Sequence, residues 1–151
     1  MKISKKGLYA IEALTYLAKN YDKGVIPIHV IAEDEDIPKK FLEQILLTLK
    51  NAAILKSEKG KEGGYRLRYH PKELTLGKVI RLIDGPLAPL GDAKYLEEML
   101  KKNVKHIGFY WLLLEVRNCT SNLLDKTSFY DLYRKTEEMK KKKMTNFMRK
   151  T

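Results

Sequence analysis

The stretch PKKFLEQILLTLKNAAIL, Pro38 to Leu55, runs without a break into KSEKGKEGGYRLR, which ends at Arg68. The first part has helical periodicity. Leu42, Ile45, Leu46, Leu49 and Ala53 form one apolar stripe, and Lys39, Lys40, Glu43, Gln44, Thr48 and Asn51 lie around the outside. Pro38 suits a helix start, because its missing N–H would be unpaired there anyway. The second part reads as two short strands, Ile54 to Ser57 and Tyr65 to Arg68, joined by a basic loop with three glycines. An amphipathic helix followed at once by such a hairpin restricts the chain to few architectures.

What precedes this stretch narrows the choice further. Ser4 is placed to cap a first helix with Leu8, Ile11, Leu14 and Leu17 at helical spacing, together with Ala10 and Ala18. Val25 to Ile28 is a short β-prone piece. A second helix follows from about His29 with Ile31 and Ala32 inward, and Ile37 closes the turn after it. The acidic run Glu33, Asp34, Glu35 and Asp36 reads as a solvated turn preceding the positive end of the next helix dipole. A short helix, a tight turn and a third helix with a polar outer face make a helix-turn-helix pattern. The hairpin stands where that pattern's wing belongs. Gln44 and Thr48, one turn apart, offer hydrogen bonds to base edges, and Lys40 and Glu43 sit at the end that enters a major groove. In the hairpin, Lys59 and Lys61 reach toward a minor groove, and the glycines permit positive φ and close approach to phosphates.

Charge supports a polyanionic partner. The net charge is +11, and residues 38–68 hold eight Lys and Arg against three Glu while residues 134–151 hold eight against two. The rest of the chain is nearly neutral, so the positive excess lies in two places, as phosphate neutralisation requires. A lysine-rich surface that serves solubility alone is the competing explanation. The longest apolar run, Phe109 to Leu114, is far below the roughly 20 residues of a membrane span. Glu12 interrupts the first apolar stretch, which argues against a secretory signal, and a cytoplasmic location is expected. One cysteine, Cys119, excludes an intrachain disulfide.

Beyond His70-Pro71, Thr75 is placed to cap a fourth helix with Leu76, Val79, Ile80 and Ile83 on one face, ending at Asp84-Gly85-Pro86. Residues 107–124 form the longest expected helix. Ile107, Tyr110, Trp111, Leu114, Cys119 and Leu123 give it a broad apolar face, which a second copy of the same helix covers in a two-fold dimer. Cys119 is read as a buried thiol of that surface. Thr127 or Ser128 caps a short last helix containing Phe129, Leu132 and Tyr133, followed by the basic tail. The expected fold is therefore mainly α with a small β-hairpin, a winged helix-turn-helix plus a long C-terminal dimerisation helix. Its parts are residues 1–87 for DNA binding, 88–106 as an effector or linker segment, 107–133 for dimerisation and the terminal helix, and 134–151 as the tail.

Several of these positions also resemble the Rrf-two family of bacterial winged-helix repressors. They are Met1-Lys2-Ile3-Ser4-Lys5 with Tyr9-Ala10, Ile31-Ala32, Phe41-Leu42-Glu43-Gln44-Ile45-Leu46, Ser57, Gly60, Gly63-Gly64-Tyr65, Leu67 and Asp84-Gly85-Pro86. The match is dense over about residues 1–90. The resemblance implies operator binding as a homodimer, with Lys40, Glu43, Gln44 and Lys59 near bases or grooves and Lys5 and Tyr9 near phosphates. Together with the hairpin and helix readings, the expected DNA-contact set is Lys5, Tyr9, Lys39, Lys40, Glu43, Gln44, Thr48, Lys59, Lys61, Gly63, Gly64 and Tyr65. Two departures stand out. Ala53 replaces the usual glycine, where a left-handed residue ends the helix, at a cost of ~1 kcal/mol or a shifted cap. Lys59 replaces the usual arginine, keeping the charge without the planar fork.

The family's cluster-binding members carry three cysteines where this chain has LAPLGDAKYLEEMLKKNVKH, Leu87 to His106, with none. No iron–sulfur cluster is expected, since thiolates are its principal ligands. Asp92, Glu97, Glu98 and His106 meet no metal motif and read as surface carboxylates and a partly buried imidazole; His29 and His70 read as structural. No nucleophile with a nearby base and no phosphate loop argues for an enzyme. The expected function is a dimeric, sequence-specific regulator of transcription, a repressor on a near-palindromic duplex, responding to a protein or small-molecule effector. The alternatives are a regulatory module acting through a protein partner such as a biosynthetic enzyme, and an RNA-binding winged helix.

Overall fold

The computed structural model describes residues 2 to 148 and contains seven α-helices and one two-stranded sheet. In chain order these are α1 (Lys5–Lys19), α2 (Ile28–Asp34), α3 (Lys39–Asn51), β1 (Leu55–Glu58), β2 (Gly64–Leu67), α4 (Leu76–Asp84), α5 (Ala93–Lys102), α6 (Ile107–Lys126) and α7 (Phe129–Met148). The strands pair antiparallel with Leu55 opposite Leu67 and Glu58 opposite Gly64. A mainly helical chain with one winged hairpin is what the sequence pattern implies.

Each element forms for a local reason. The Ser4 hydroxyl accepts from the Gly7 N–H at 3.0 Å and starts α1, while its own N–H and O–H donate to Asp84 at the end of α4. Thr75 caps α4, and Asp92 caps α5 by accepting from the Tyr95 N–H at 2.8 Å. Ser128 and Asp131 bond reciprocally at the start of α7, an acidic form of the capping box. These bonds hold the Asp131 carboxyl below its ordinary range.

The core is built from one face of α1 and one of α3. Ala10, Ala13, Leu14 and Leu17 meet Leu42, Ile45, Leu46 and Leu49, all buried. Ile26, Ile31, Ile37, Ile54, Leu55, Leu67, Leu74 and Val79 close it from the turns, hairpin and α4. The largest side chain inside is Phe129, fully buried at the start of α7. It is held there because Thr75 bridges Ser128 and the Phe129 N–H donates to the Leu74 carbonyl. The chain thus leaves this core cluster after α4 and returns to it at Phe129.

The residues around α3 differ from the expected pattern. The helix stops at Asn51, and Ala53 lies outside it with φ +57°. Its N–H donates to Lys50 and the Ile54 N–H to Leu49, a Schellman closure completed by an alanine in the left-handed region. The same closure ends α2, with Asp36 at φ +51° and bonds from Asp36 to Glu33 and from Ile37 to Ala32. Alanine therefore bears the conformational cost and the cap does not move.

Three other expectations are corrected. The last helix is long, reaching Met148, because Lys135–Glu138, Glu138–Lys142 and Glu137–Lys140 pairs at helical spacing continue it through the basic tail. Of the expected tail, Arg149, Lys150 and Thr151 lie outside the described residues. The 88–106 segment contains a full helix, α5, packed on α6 through buried Leu96. His106 is exposed rather than partly buried, since it sits at the outer junction of α5 and α6. His70 has the structural role expected of it. Its Nδ1 accepts from the Lys72 N–H, and its ring lies between Tyr21 and Tyr130, tying the end of α1 to α7.

Replacing Ala53 by glycine removes the left-handed strain with nothing else in the cap altered. We expect A53G to raise unfolding free energy by about 1 kcal/mol, read as a higher urea midpoint at unchanged m-value and fixed protein concentration. An unchanged or lower midpoint would contradict the strain.

Candidate nucleic-acid interface and dimer seam

Burying Leu42, Ile45, Leu46 and Leu49 forces the opposite side of α3 outward. Lys40, Glu43, Gln44, Leu47 and Asn51 occupy that side at helical spacing, all exposed. Lys39 is exposed beside them at the helix start. Thr48 lies toward the edge, half-buried, and its hydroxyl donates to the Gln44 carbonyl at 2.9 Å. Its proton is used within the helix and only acceptor capacity faces outward. Leu47, 53% exposed, stands at the centre of the outer face. The sequence reading places it on neither face; its signal is being out of phase with the 42-45-46-49 stripe.

Lys5 and Tyr9 join this face through an aromatic relay. The Lys5 ammonium lies 5.5 Å from the Tyr9 ring centre, and Tyr9 meets Phe41 of α3 edge-on at 5.6 Å. The N-terminus of α1 is thereby fixed beside the first turn of α3. Three cations, Lys5, Lys39 and Lys40, flank the point where a helix enters a groove.

The wing divides its residues into exposed and structural. Lys59 and Lys61 are exposed at the tip, and Gly60 alone there adopts positive φ, +112°. Gly63 and Gly64 are needed for a different reason than expected: a Cβ on Gly63 would strike the Glu58 carbonyl, and one on Gly64 the Ile26 carbonyl. Gly64 is buried, and the Tyr65 N–H and C=O both pair with Ile26 at 2.9 Å. Gly64 and the Tyr65 backbone therefore anchor the wing to the piece before α2, and the Tyr65 side chain stays half-exposed. Arg66 pairs with Glu58 across the strands at 3.5 Å, while Lys59 and Lys61 at the tip are in no such pair among the described residues.

A second surface runs along α6. Arg81 of α4 forks onto Asp125 at 2.6 and 2.7 Å and reaches Ser121 at 3.4 Å. This bidentate pair holds the Asp125 carboxyl below its ordinary range. Gly77 admits the carboxylate, for a Cβ there would collide with it. The clamp fixes which side of α6 is inward. Leu114 and Tyr110, two and three turns before Ser121, are on that side and half-buried, so they leave the expected dimer face. Phe109, Leu112, Val116, Cys119 and Leu123 point away, at alternating spacings of three and four residues. The four apolar members are 56, 52, 46 and 68% exposed, and Cys119 is exposed rather than buried within the protomer. Ile107 and Trp111 are exposed to one side of this stripe.

The fold and these two surfaces define the class, a winged helix-turn-helix regulator of transcription. The chain belongs to the Rrf2 family, whose profile, described as iron-dependent transcriptional regulator, matches residues 3–135. It is 33% identical over 132 residues to the HTH-type transcriptional regulator CymR of Bacillus subtilis, covering 87% of this chain and 89% of that one. It is 37% identical over 84 residues to the regulator IscR of Aliivibrio salmonicida, spanning 56% of this chain and 50% of that protein. The solved structure of CymR, the global cysteine regulator of B. subtilis, superposes with TM-score 0.73 at 32% identity, covering 89% of this chain and 97% of that one. The relatives and the matched folds are transcriptional regulators, not enzymes.

The family's iron raises the question of fit. Cys119 is the single thiol, and it lies on the outward face of α6. Asp92 is engaged in capping α5 and Glu98 pairs with Lys102. Among the described residues no three His, Cys, Asp or Glu side chains converge on a point that would hold a metal ion. The residues present do not fit an iron–sulfur cluster.

Proposed function

We propose that this protein is a homodimeric repressor that binds a near-palindromic DNA operator without an iron–sulfur cluster. The observation that carries this reading is the outward face of α3, held exposed by the core and accompanied by Lys5 and the wing lysines. Gln44 and Asn51 supply bidentate hydrogen-bonding groups for base edges, and Leu47 between them an apolar contact of the kind a thymine methyl accepts. Lys5, Lys40, Lys59 and Lys61 supply phosphate and groove contacts, which position the head without reading sequence. Repression requires only that the operator be occupied.

Dimerisation is supported by the 109-112-116-119-123 stripe, a heptad-like seam that water covers poorly and a second α6 covers well. A two-fold pair of heads reads half-sites about one helical turn, or a multiple, apart.

Selection from random duplex DNA should enrich a near-palindrome bound more weakly as salt rises. On the selected operator, Gln44→Ala should relax discrimination at one base pair by about 1–3 kcal/mol, whereas Lys61→Ala should weaken all sequences alike and lower the salt slope by about one. Equal, sequence-independent losses from both would refute this division of roles. Val116→Glu places a charge in the middle of the seam and should give a folded monomer by sedimentation and circular dichroism, with operator affinity lost; a persistent dimer would move the interface elsewhere. Protein purified under nitrogen should lack the visible absorbance of a cluster and bind the operator regardless. A brown, iron- and sulfide-bearing sample would overturn the cluster-free reading.

A further inference from the structure

A groove of about 490 Å³ lies between α1, the end of α2 and α7. Its walls carry charges of both signs: Lys19, Lys23 and Lys140 against Asp34, Glu35 and Glu137. The volume lies within the range of ligand clefts, roughly 300–1,000 Å³.

The charges are unevenly satisfied. On the cationic wall, Lys19 and Lys140 share one carboxylate, Glu137, at 3.3 and 3.8 Å. Two ammonium groups on one anion leave a positive surplus. On the opposite wall, Asp34 accepts from the Tyr16 hydroxyl, and Glu35 has no ion pair among the described residues. Burial and then the neighbouring Glu12 and Asp34 push the Glu35 carboxyl up, against a smaller opposite pull from Lys140 and Lys19. Lys19, Lys140, Asp34 and Glu35 line the one groove, so a single small molecule bound in it meets charges of both signs.

We propose that this groove binds a small zwitterion of the amino-acid type, its carboxylate on Lys19 and Lys140 and its ammonium on Glu35 and Asp34. Such a molecule neutralises the positive surplus and the crowded carboxylates at once. A dianion would meet Glu35 and Asp34 as like charges, and a diamine would meet the lysines. Hydroxyl groups of Thr15, Tyr16 and Thr136 line the same groove and complete a polar shell.

The position gives binding a route to the DNA-reading face. Asp34 and Glu35 close α2, and the next residue, Asp36, is the left-handed hinge of the turn that aims α3. A ligand drawn onto Glu35 acts one residue from that hinge. This makes the groove the effector site of the regulator, and in that respect the inference rests on the proposed function above.

The test uses the full chain and two readouts. In calorimetry without DNA, a panel of L-amino acids at millimolar concentration should include at least one that binds. Succinate and putrescine, which carry one sign of charge only, should not. Glu35→Gln and Lys140→Met should each weaken binding on the order of tenfold, with circular dichroism confirming that both fold. The bound amino acid should change operator affinity by roughly 5–150-fold. The proposal falls if no amino acid binds, if succinate or putrescine binds as well, or if both variants bind undiminished. It also falls as an effector site if the ligand binds yet leaves operator affinity unchanged. A protein that binds operator but no amino acid would refute the groove and leave the DNA reading standing. One that binds an amino acid but selects no duplex would refute the DNA reading and uphold the ligand site.

Discussion

The direction of α3 is set by two residues in left-handed backbone, Asp36 before it and Ala53 after it. Each closes a helix by paired bonds to carbonyls of the preceding turn and redirects the chain sharply, the first into α3 and the second into the hairpin. Between these fixed points the buried leucines and isoleucine leave the helix one rotational setting, since a turn of about 100° would carry charged side chains into the core. The outward presentation of Lys40, Gln44 and Leu47 follows from these constraints. The wing is placed by the same means. Ile54 is both the final donor of the second closure and the residue before β1, so helix end and hairpin start are one structure.

Most of the head was legible in the sequence because its signals are local. Helical spacing in α1 and α3, the Ser4 and Thr75 caps and the basic glycine-rich hairpin each depend on residues a few positions apart. What was not legible depends on distant partners. Tyr110 and Leu114 look like members of the α6 face until Arg81, some thirty residues earlier, grips Asp125 and fixes the helix's rotation. Gly64 and Tyr65 match a family wing by position, yet their work is pairing with Ile26. Leu47 lies off the buried stripe, and its place at the centre of the outer face shows only once the core has fixed the helix's rotation. Phe129 gives no sequence sign that it is the largest buried side chain, since its burial rests on a backbone bond to Leu74. The extent of α7 was hidden by its composition: a lysine run suggests a solvated tail, and only the interleaved Glu137 and Glu138 mark it as helix.

The two outward surfaces have opposite chemistry and are kept apart by the core. The face of α3 is charged and hydrogen-bonding, suited to a wet polyanion; the α6 stripe is apolar and suited to exclusion of water. Departures from the family pattern fall differently on the two. Ala53 and Lys59 alter the strain and the reach of the head, while the segment joining the head to α6 has no cysteine with which to ligate a cluster.

The clamp of Arg81 on Asp125 has a mechanical consequence. It grips α6 near its C-terminal end, while the helix runs about 30 Å at 1.5 Å per residue. With the fulcrum near one end, a tilt of about 5° swings the other end through roughly 2–3 Å by simple leverage over that length. When the stripe is fastened to a second molecule the motion is inverted, and the heads travel while the helices stay. In the proposed dimer, the side-chain fork on α4 then sets how far apart the two heads stand, which makes one ion pair the adjusting screw of the whole span.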